Sequence, residues 1–247
     1  MKRLAFLAPL LMLAACEGSI AEAVSDAASS SGSSFSDGTP IGTSASNPGA
    51  FEEVTLAGPD NIIFTTGAFS IRAEGDADAI TQLRYKISGD AIKIGRESSN
   101  FIGGDSDRAA IYVSAPSLKS AKLAGSGNLD IDAMTGESAK LSIAGAGDIR
   151  VARVKTASLS SKIAGSGNIV LAGAADSIDI SIAGSGDVSG KELKAASADI
   201  SIAGSGDVEL SSDGSVSAKV MGSGDVRIHG DAKCKSRAMG SGDITCG

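Results

Sequence analysis

The sequence predicts an all-β protein, a parallel β-solenoid (β-helix) of about 18–20 residues per coil. Three observations carry that prediction. A Gly-Ser-Gly-Asp phrase, varied to Gly-Ala-Gly-Asp or Gly-Ser-Gly-Asn, recurs seven times; its first glycines are Gly125, Gly145, Gly165, Gly184, Gly204, Gly222 and Gly240, at steps of 20, 20, 19, 20, 18 and 18 residues. A fixed period near twenty is the signature of stacked structural repeats. The residues beside each phrase alternate apolar and polar with period two, the mark of a half-buried strand. Finally, the chain holds 32 glycines, no tryptophan and 3% aromatics, yet is 42% hydrophobic. That excludes a core built on large rings and leaves one of stacked Ile, Leu, Val and Ala.

Taken in order, the chain opens with Lys2 and Arg3 followed by an apolar run over residues 4–15. Two cations before a short apolar run read as a secretory signal peptide, residues 1–15. The run is too short to span a bilayer, which needs about 20 residues. Leu13-Ala14-Ala15-Cys16 resembles the lipobox of bacterial lipoproteins. The resemblance implies cleavage before Cys16, lipidation of Cys16, and a membrane anchor in the bacterial cell envelope. Glu17 stands where an aspartate would, by the same resemblance, favour inner-membrane retention, so the outer membrane is favoured. Residues 16–50, rich in Ser, Gly and Ala, read as a flexible tether of roughly 30–35 Å reach. The formal charge of −7 and pI of 4.8 argue against a nucleic-acid partner.

Residues 51–247 read as one domain. Its first part, residues 51–118, shows short alternating runs: Val54 and Leu56, Ile62 and Phe64, Phe69 and Ile71, Ile92 and Ile94, and Ile111 and Val113. Turns follow at Gly58-Pro59-Asp60-Asn61, Thr66-Gly67 and Ser88-Gly89-Asp90. Residues 78–83 fit a helical turn or a turn region, residues 85–94 a hairpin or two successive coils, and residues 97–108 an exposed loop. This order of strands and turns, ending in serial Gly-Ser-Gly-Asp-Ile units, resembles the putative auto-transporter adhesin head, or head GIN, domain family, once classed as a domain of unknown function. The resemblance implies a β-solenoid and an adhesin-like role.

In the repeats, Leu123, Ile143, Ile163, Ile182, Ile202, Val220 and Ala238 stand two residues before the first glycine. Leu129, Ile149, Ile169, Val188, Val208, Val226 and Ile244 stand four after it, and Ile131, Val151, Leu171, Gly190, Leu210, Ile228 and Cys246 six after. Between these columns lie Lys, Ser, Asp and Arg. Each coil is therefore expected to hold two short strands joined at the glycine corner, with like residues stacked at the inter-strand spacing of about 4.8 Å. A single coil cannot bury its own inner face, so stability must be shared with its neighbours. The corner glycines (Gly125, Gly127, Gly145, Gly147, Gly165, Gly167, Gly184, Gly186, Gly204, Gly206, Gly222, Gly224, Gly240 and Gly242) are expected to serve positive φ. The fourth corner residue (Asn128, Asp148, Asn168, Asp187, Asp207, Asp225 or Asp243) is expected to bond turn amides. Glycine–aspartate calcium coils repeat every nine residues, and only one corner carboxylate falls on each coil here, so no metal and no other cofactor is expected.

Cys234 and Cys246 fall in inward columns of the last coil, and an exported protein meets an oxidising compartment, so a disulfide between them is expected. His229 is the only histidine and follows inward-facing Ile228, so it should face out. One histidine supports neither a multi-histidine metal site nor a Ser/His/Asp set with an orienting partner. The glycine corners lack the Lys-Ser/Thr and following helix of a phosphate loop. The expectation is therefore a non-enzymatic, lipid-anchored binding or adhesion module. Its outward columns, including Ser142, Ser181 and Ser201, or the loop at 97–108, would meet a glycan or an envelope protein. A structural envelope protein without a ligand and a carbohydrate-active enzyme are the alternatives; oligomeric state is left open.

Overall fold

The computed structural model describes residues 35–97 and 108–247. The expected signal peptide, Cys16 and the larger part of the loop at 97–108 lie outside the described residues. The elements in chain order are β1 (Thr39–Pro40), β2 (Glu53–Gly58), β3 (Asn61–Thr66), β4 (Ser70–Gly75), α1 (Ala77–Gln82), β5 (Leu83–Ser88), β6 (Ala91–Arg96), β7 (Ala109–Ala115), β8 (Ser120–Gly125) and β9 (Leu129–Ile131). The repeats follow as β10 (Met134–Gly145), β11 (Ile149–Gly165), β12 (Ile169–Gly184), β13 (Val188–Gly204), β14 (Val208–Gly222), β15 (Val226–His229), β16 (Lys233–Gly240) and β17 (Ile244–Cys246). They form a parallel β-solenoid of about six turns.

Each repeat strand lies in register on the one before. Ile143 pairs with Ile163, Ile163 with Ile182, Ile182 with Ile202 and Ile202 with Val220. The inward columns anticipated for the first six corners are buried throughout, which places the core along the solenoid axis. β-branched side chains suit that packing, and each buried one contributes about 1.5–3 kcal/mol. Ser161, on an inward position of β11, is fully buried with its hydroxyl unpartnered.

The coil has three sides, not two. In β11 the inward residues are Ile149 and Val151, then Val154 and Thr156, then Leu159, Ser161 and Ile163, with outward pairs at Ala152-Arg153 and Ala157-Ser158 marking the extra bends. The middle side is short, and its inward column falls to Thr156, Ala175, Ala195 and Ser212. Small residues and register shifts there hide it from a periodicity reading.

The start of the stack does not follow chain order. β2 pairs in parallel with both β6 and β8, and β3 with both β7 and β9. The β2–β3 coil is thus enclosed between the β6–β7 coil and the β8–β9 coil. The turn Gly58-Pro59-Asp60-Asn61 becomes a corner equivalent to the seven repeats, with Gly58 in register with Gly125. Antiparallel β5 on β6 and β4 on β7 close this end. α1, capped by Asp76 accepting from the Ala79 amide, links them.

Of the expected tether, residues 16–50, only residues 35–50 are described, and these are packed rather than free. Residues 35–50 lie on the capped end: β1 pairs with β5, Ser46 bridges Ile71, and Phe35 and Ile41 are buried. Phe35 rests where a side chain on Gly95 would stand, so glycine at 95 makes its seat. Ser/Gly/Ala composition concealed two apolar anchors that suffice to hold the strap down.

Candidate functional site

The corners form the first site to judge. Gly145 has φ +137°, and a Cβ there would stand 2.2 Å from the Gly125 carbonyl oxygen. Gly147 has no such φ, but a Cβ on it would stand 1.8 Å from the Gly127 carbonyl oxygen. Positive φ therefore explains only the first glycine of each phrase; the third is required by the close approach of one coil to the next. The fourth residue bonds a turn amide, that of the next coil. Its side-chain oxygen accepts from the amide of the equivalent residue one coil on: Asn128 from Asp148 (3.2 Å), Asp148 from Asn168 (2.8 Å), Asp187 from Asp207 (2.8 Å), Asp207 from Asp225 (2.7 Å) and Asp225 from Asp243 (2.9 Å). The ladder begins at Asn61, which accepts from the Asn128 amide. These side chains tie coil to coil, and either Asn or Asp supplies the needed oxygen. Among the described residues no group of three His, Cys, Asp or Glu has metal-site geometry.

A groove of about 630 Å³ lies on the middle side of the coil and is lined by Asp176, Lys194, Ser212, Asp213 and His229 among small residues. Its origin is a change of coil length. Gly190 pairs with Leu210 and Lys194 with Ser211, so Lys191, Glu192 and Leu193 have no counterparts in β14 and the wall steps inward. His229 faces out beside it, half-buried, and its Nε2 lies 2.6 Å from Glu209 Oε1. That hydrogen bond holds the Glu209 carboxyl below its usual range. On the third side, partial burial raises the Asp179 carboxyl; Lys162 opposes the shift and Asp199, one coil away, adds to it. No nucleophile, base and orienting group converge in either place.

Sequence reasoning missed the pair Asp60 and Arg96. Both are buried, and Asp60 accepts from Arg96 Nε (2.8 Å) and Nη2 (2.7 Å) and from the Ala109 amide (2.9 Å). The pair ties the corner Gly58-Pro59-Asp60-Asn61 to β6 and β7. Its members stand 36 residues apart and meet only because the chain doubles back, so no local signal marks them.

A model of the family described as putative auto-transporter adhesin, head GIN domain, matches residues 50–232. The chain belongs to that family. Solved structures share the head GIN fold. A putative adhesin from Bacteroides fragilis is 18% identical, with a TM-score of 0.77 over 82% of this chain and 95% of its own. A putative lipid binding protein from Parabacteroides distasonis is 23% identical, with a TM-score of 0.63 over 85% of this chain and 98% of its own. A putative adhesin from Parabacteroides merdae is 18% identical, with a TM-score of 0.56 over 83% and 95% of the two chains. At these identities the likeness is one of fold. No curated protein matches the chain. Among the described residues no helix is long and apolar enough to cross a membrane.

The last described coil, β16 and β17, follows the residues that the family model matches. Cys234 and Cys246 are bonded across it, their Cα atoms 6.6 Å apart. Cys234 is in register with Val216 and Cys246 with Ile228. They continue inward columns, yet Cys234 is half-buried and Cys246 exposed, because no further described coil covers them. The expectation that both lie in the core is corrected by the open end of the stack.

Proposed function

We propose that this head GIN protein is a lipid-anchored module of the bacterial cell envelope, outer membrane favoured, that binds or adheres without catalysis. The observation that carries the reading is geometric. The described chain enters at the capped end of a rigid stack, through the strap of residues 35–50, and the coils run away from that end. An anchor at Cys16 would hold the capped end towards the membrane and present the sides and the far end outwards. The signal-like residues 1–15 and the family description as an adhesin head support it. Glycans and envelope proteins are the partner classes that the polar outward columns suit.

The test is whole-cell fractionation with protease access, comparing the natural chain with Cys16→Ser, alongside adhesion and glycan-array binding. Membrane retention that depends on Cys16, together with binding to a glycan or envelope protein, is the expected result. Retention unchanged in Cys16→Ser would overturn the anchor, and polysaccharide turnover would overturn the non-catalytic reading. A purely structural role draws support from the short Ser side chains at several outward positions, such as Ser177, Ser197 and Ser201, and from Ser181, expected to face a partner, being buried. Normal adhesion with altered envelope permeability in a deletion strain would favour it.

A further inference from the structure

The two ends of the solenoid are finished differently. Antiparallel β4 and β5 and the strap of residues 35–50 close one end. At the other, β16 pairs with β14 alone and β17 with β15 alone among the described residues. The outer N–H and C=O groups of β16 therefore form an edge ready to accept another strand. Met239, 63% exposed, and exposed Ala238 lie along it.

The charge of this edge is unlike that of the coils behind it. Its outward residues are Lys233, Lys235 and Arg237, all exposed and none ion-paired with a described residue. The positions in register are Ser215, Ser217 and Lys219, then Ser197, Asp199 and Ser201. Residues 215–247 hold five Lys or Arg against three Asp, whereas the whole chain is net −7.

We propose that Lys233–Gly240 is a docking strand for an extended acidic segment of a partner protein, which adds to the solenoid as one more parallel strand. Strand addition satisfies the edge by main-chain hydrogen bonds and draws its specificity from alternate side chains. In register, the incoming outward residues face Lys233, Lys235 and Arg237, where Asp or Glu attract and Lys or Arg repel. The incoming inward residues cover Cys234, Ser236 and Ala238, which calls for modest apolar side chains. A second copy paired antiparallel about a two-fold axis would set Lys233 against Arg237 and Lys235 against its own equivalent. The cations that block self-association thus select an acidic partner. This rests on the reading of the protein as a binding module and names its surface and partner chemistry.

The test uses the purified full chain carrying Cys16→Ser and a labelled peptide, acetyl-Gly-Glu-Val-Glu-Val-Glu-Val-Gly-amide, with a Lys-for-Glu control. Anisotropy is expected to show at least tenfold tighter binding of the Glu peptide, weakening with salt, and hydrogen exchange to show new protection at Lys233–Gly240. The triple variant Lys233→Ser, Lys235→Ser, Arg237→Ser places at each position a residue type found in the preceding coils, so its melting should hold while affinity falls at least tenfold. Lys233→Glu, Lys235→Glu, Arg237→Glu should reverse the preference to the Lys peptide. No binding, equal binding of both peptides, or no protection at Lys233–Gly240 would overturn the proposal. So would undiminished peptide binding in a self-associating Ser variant, or preference for phosphatidylglycerol vesicles over the peptide. A missing adhesion phenotype in cells bears on the module reading and leaves this measurement on purified protein intact.

Discussion

At the corner, the fourth residue decides how one coil is fastened to the next. Asp207 accepts the Asp225 amide at 2.7 Å, and its own amide donates to Asp187 at 2.8 Å. Asn168 fills the same role towards Asp187 at 3.1 Å, so the oxygen matters and the charge does not. Asp207→Ala leaves the Asp225 amide without this acceptor and should cost about 1 kcal/mol. Asp207→Asn should stay within about 0.5 kcal/mol of the natural protein. Urea denaturation of both variants checks this, and an equal loss in both would show that the carboxylate charge carries the effect. These residues are scaffold, as the two glycines beside them are.

Among the elements, β16 and β17 depend most on a covalent link. Both lie at the open end, and the disulfide between Cys234 and Cys246 spans 12 residues. Loop-closure reasoning gives such a bridge about 3 kcal/mol. Reduction should raise hydrogen exchange across residues 233–246 and leave β11 to β13 unchanged, because their ladders are paired on both sides. Thiol titration of the unfolded chain should detect the two cysteines only after reduction; free thiols beforehand would exclude the bridge. The same two strands carry the basic edge, so reduction should also weaken any strand addition there.

For the molecule as a whole, stability is shared along the stack. A coil of about 20 residues orders its backbone at about 1–2 kcal/mol per residue. It offers roughly seven inward residues to offset this, of which several are Ala, Ser or Thr. Neighbouring ladders supply the rest, and β12 is paired along its length with both β11 and β13. Deleting residues 166–184 should therefore lower the melting temperature of the remainder while keeping one transition. Flanking coils that melt as before, or in two separate steps, would contradict this sharing. Calorimetry decides between these outcomes.

The sequence by itself determined the repeating coil. Glycine spacing, the Ile, Leu and Val columns and the corner Asx residues are local patterns, and each local pattern has one way to stack with its copies. His229 facing out and the columns holding Cys234 and Cys246 followed from the same alternation. Only the tertiary structure decided where the regularity ends. The middle side of the coil, built on Thr156, Ala175, Ala195 and Ser212, has too little apolar contrast to register as a strand. The enclosure of the β2–β3 coil, the ion pair of Asp60 with Arg96 and the strap anchored by Phe35 and Ile41 join residues far apart in sequence, where chain topology rather than periodicity sets the partner. The basic run Lys233, Lys235 and Arg237 stands plainly in the sequence, but its meaning depends on β16 being an edge, and edges are a property of the stack.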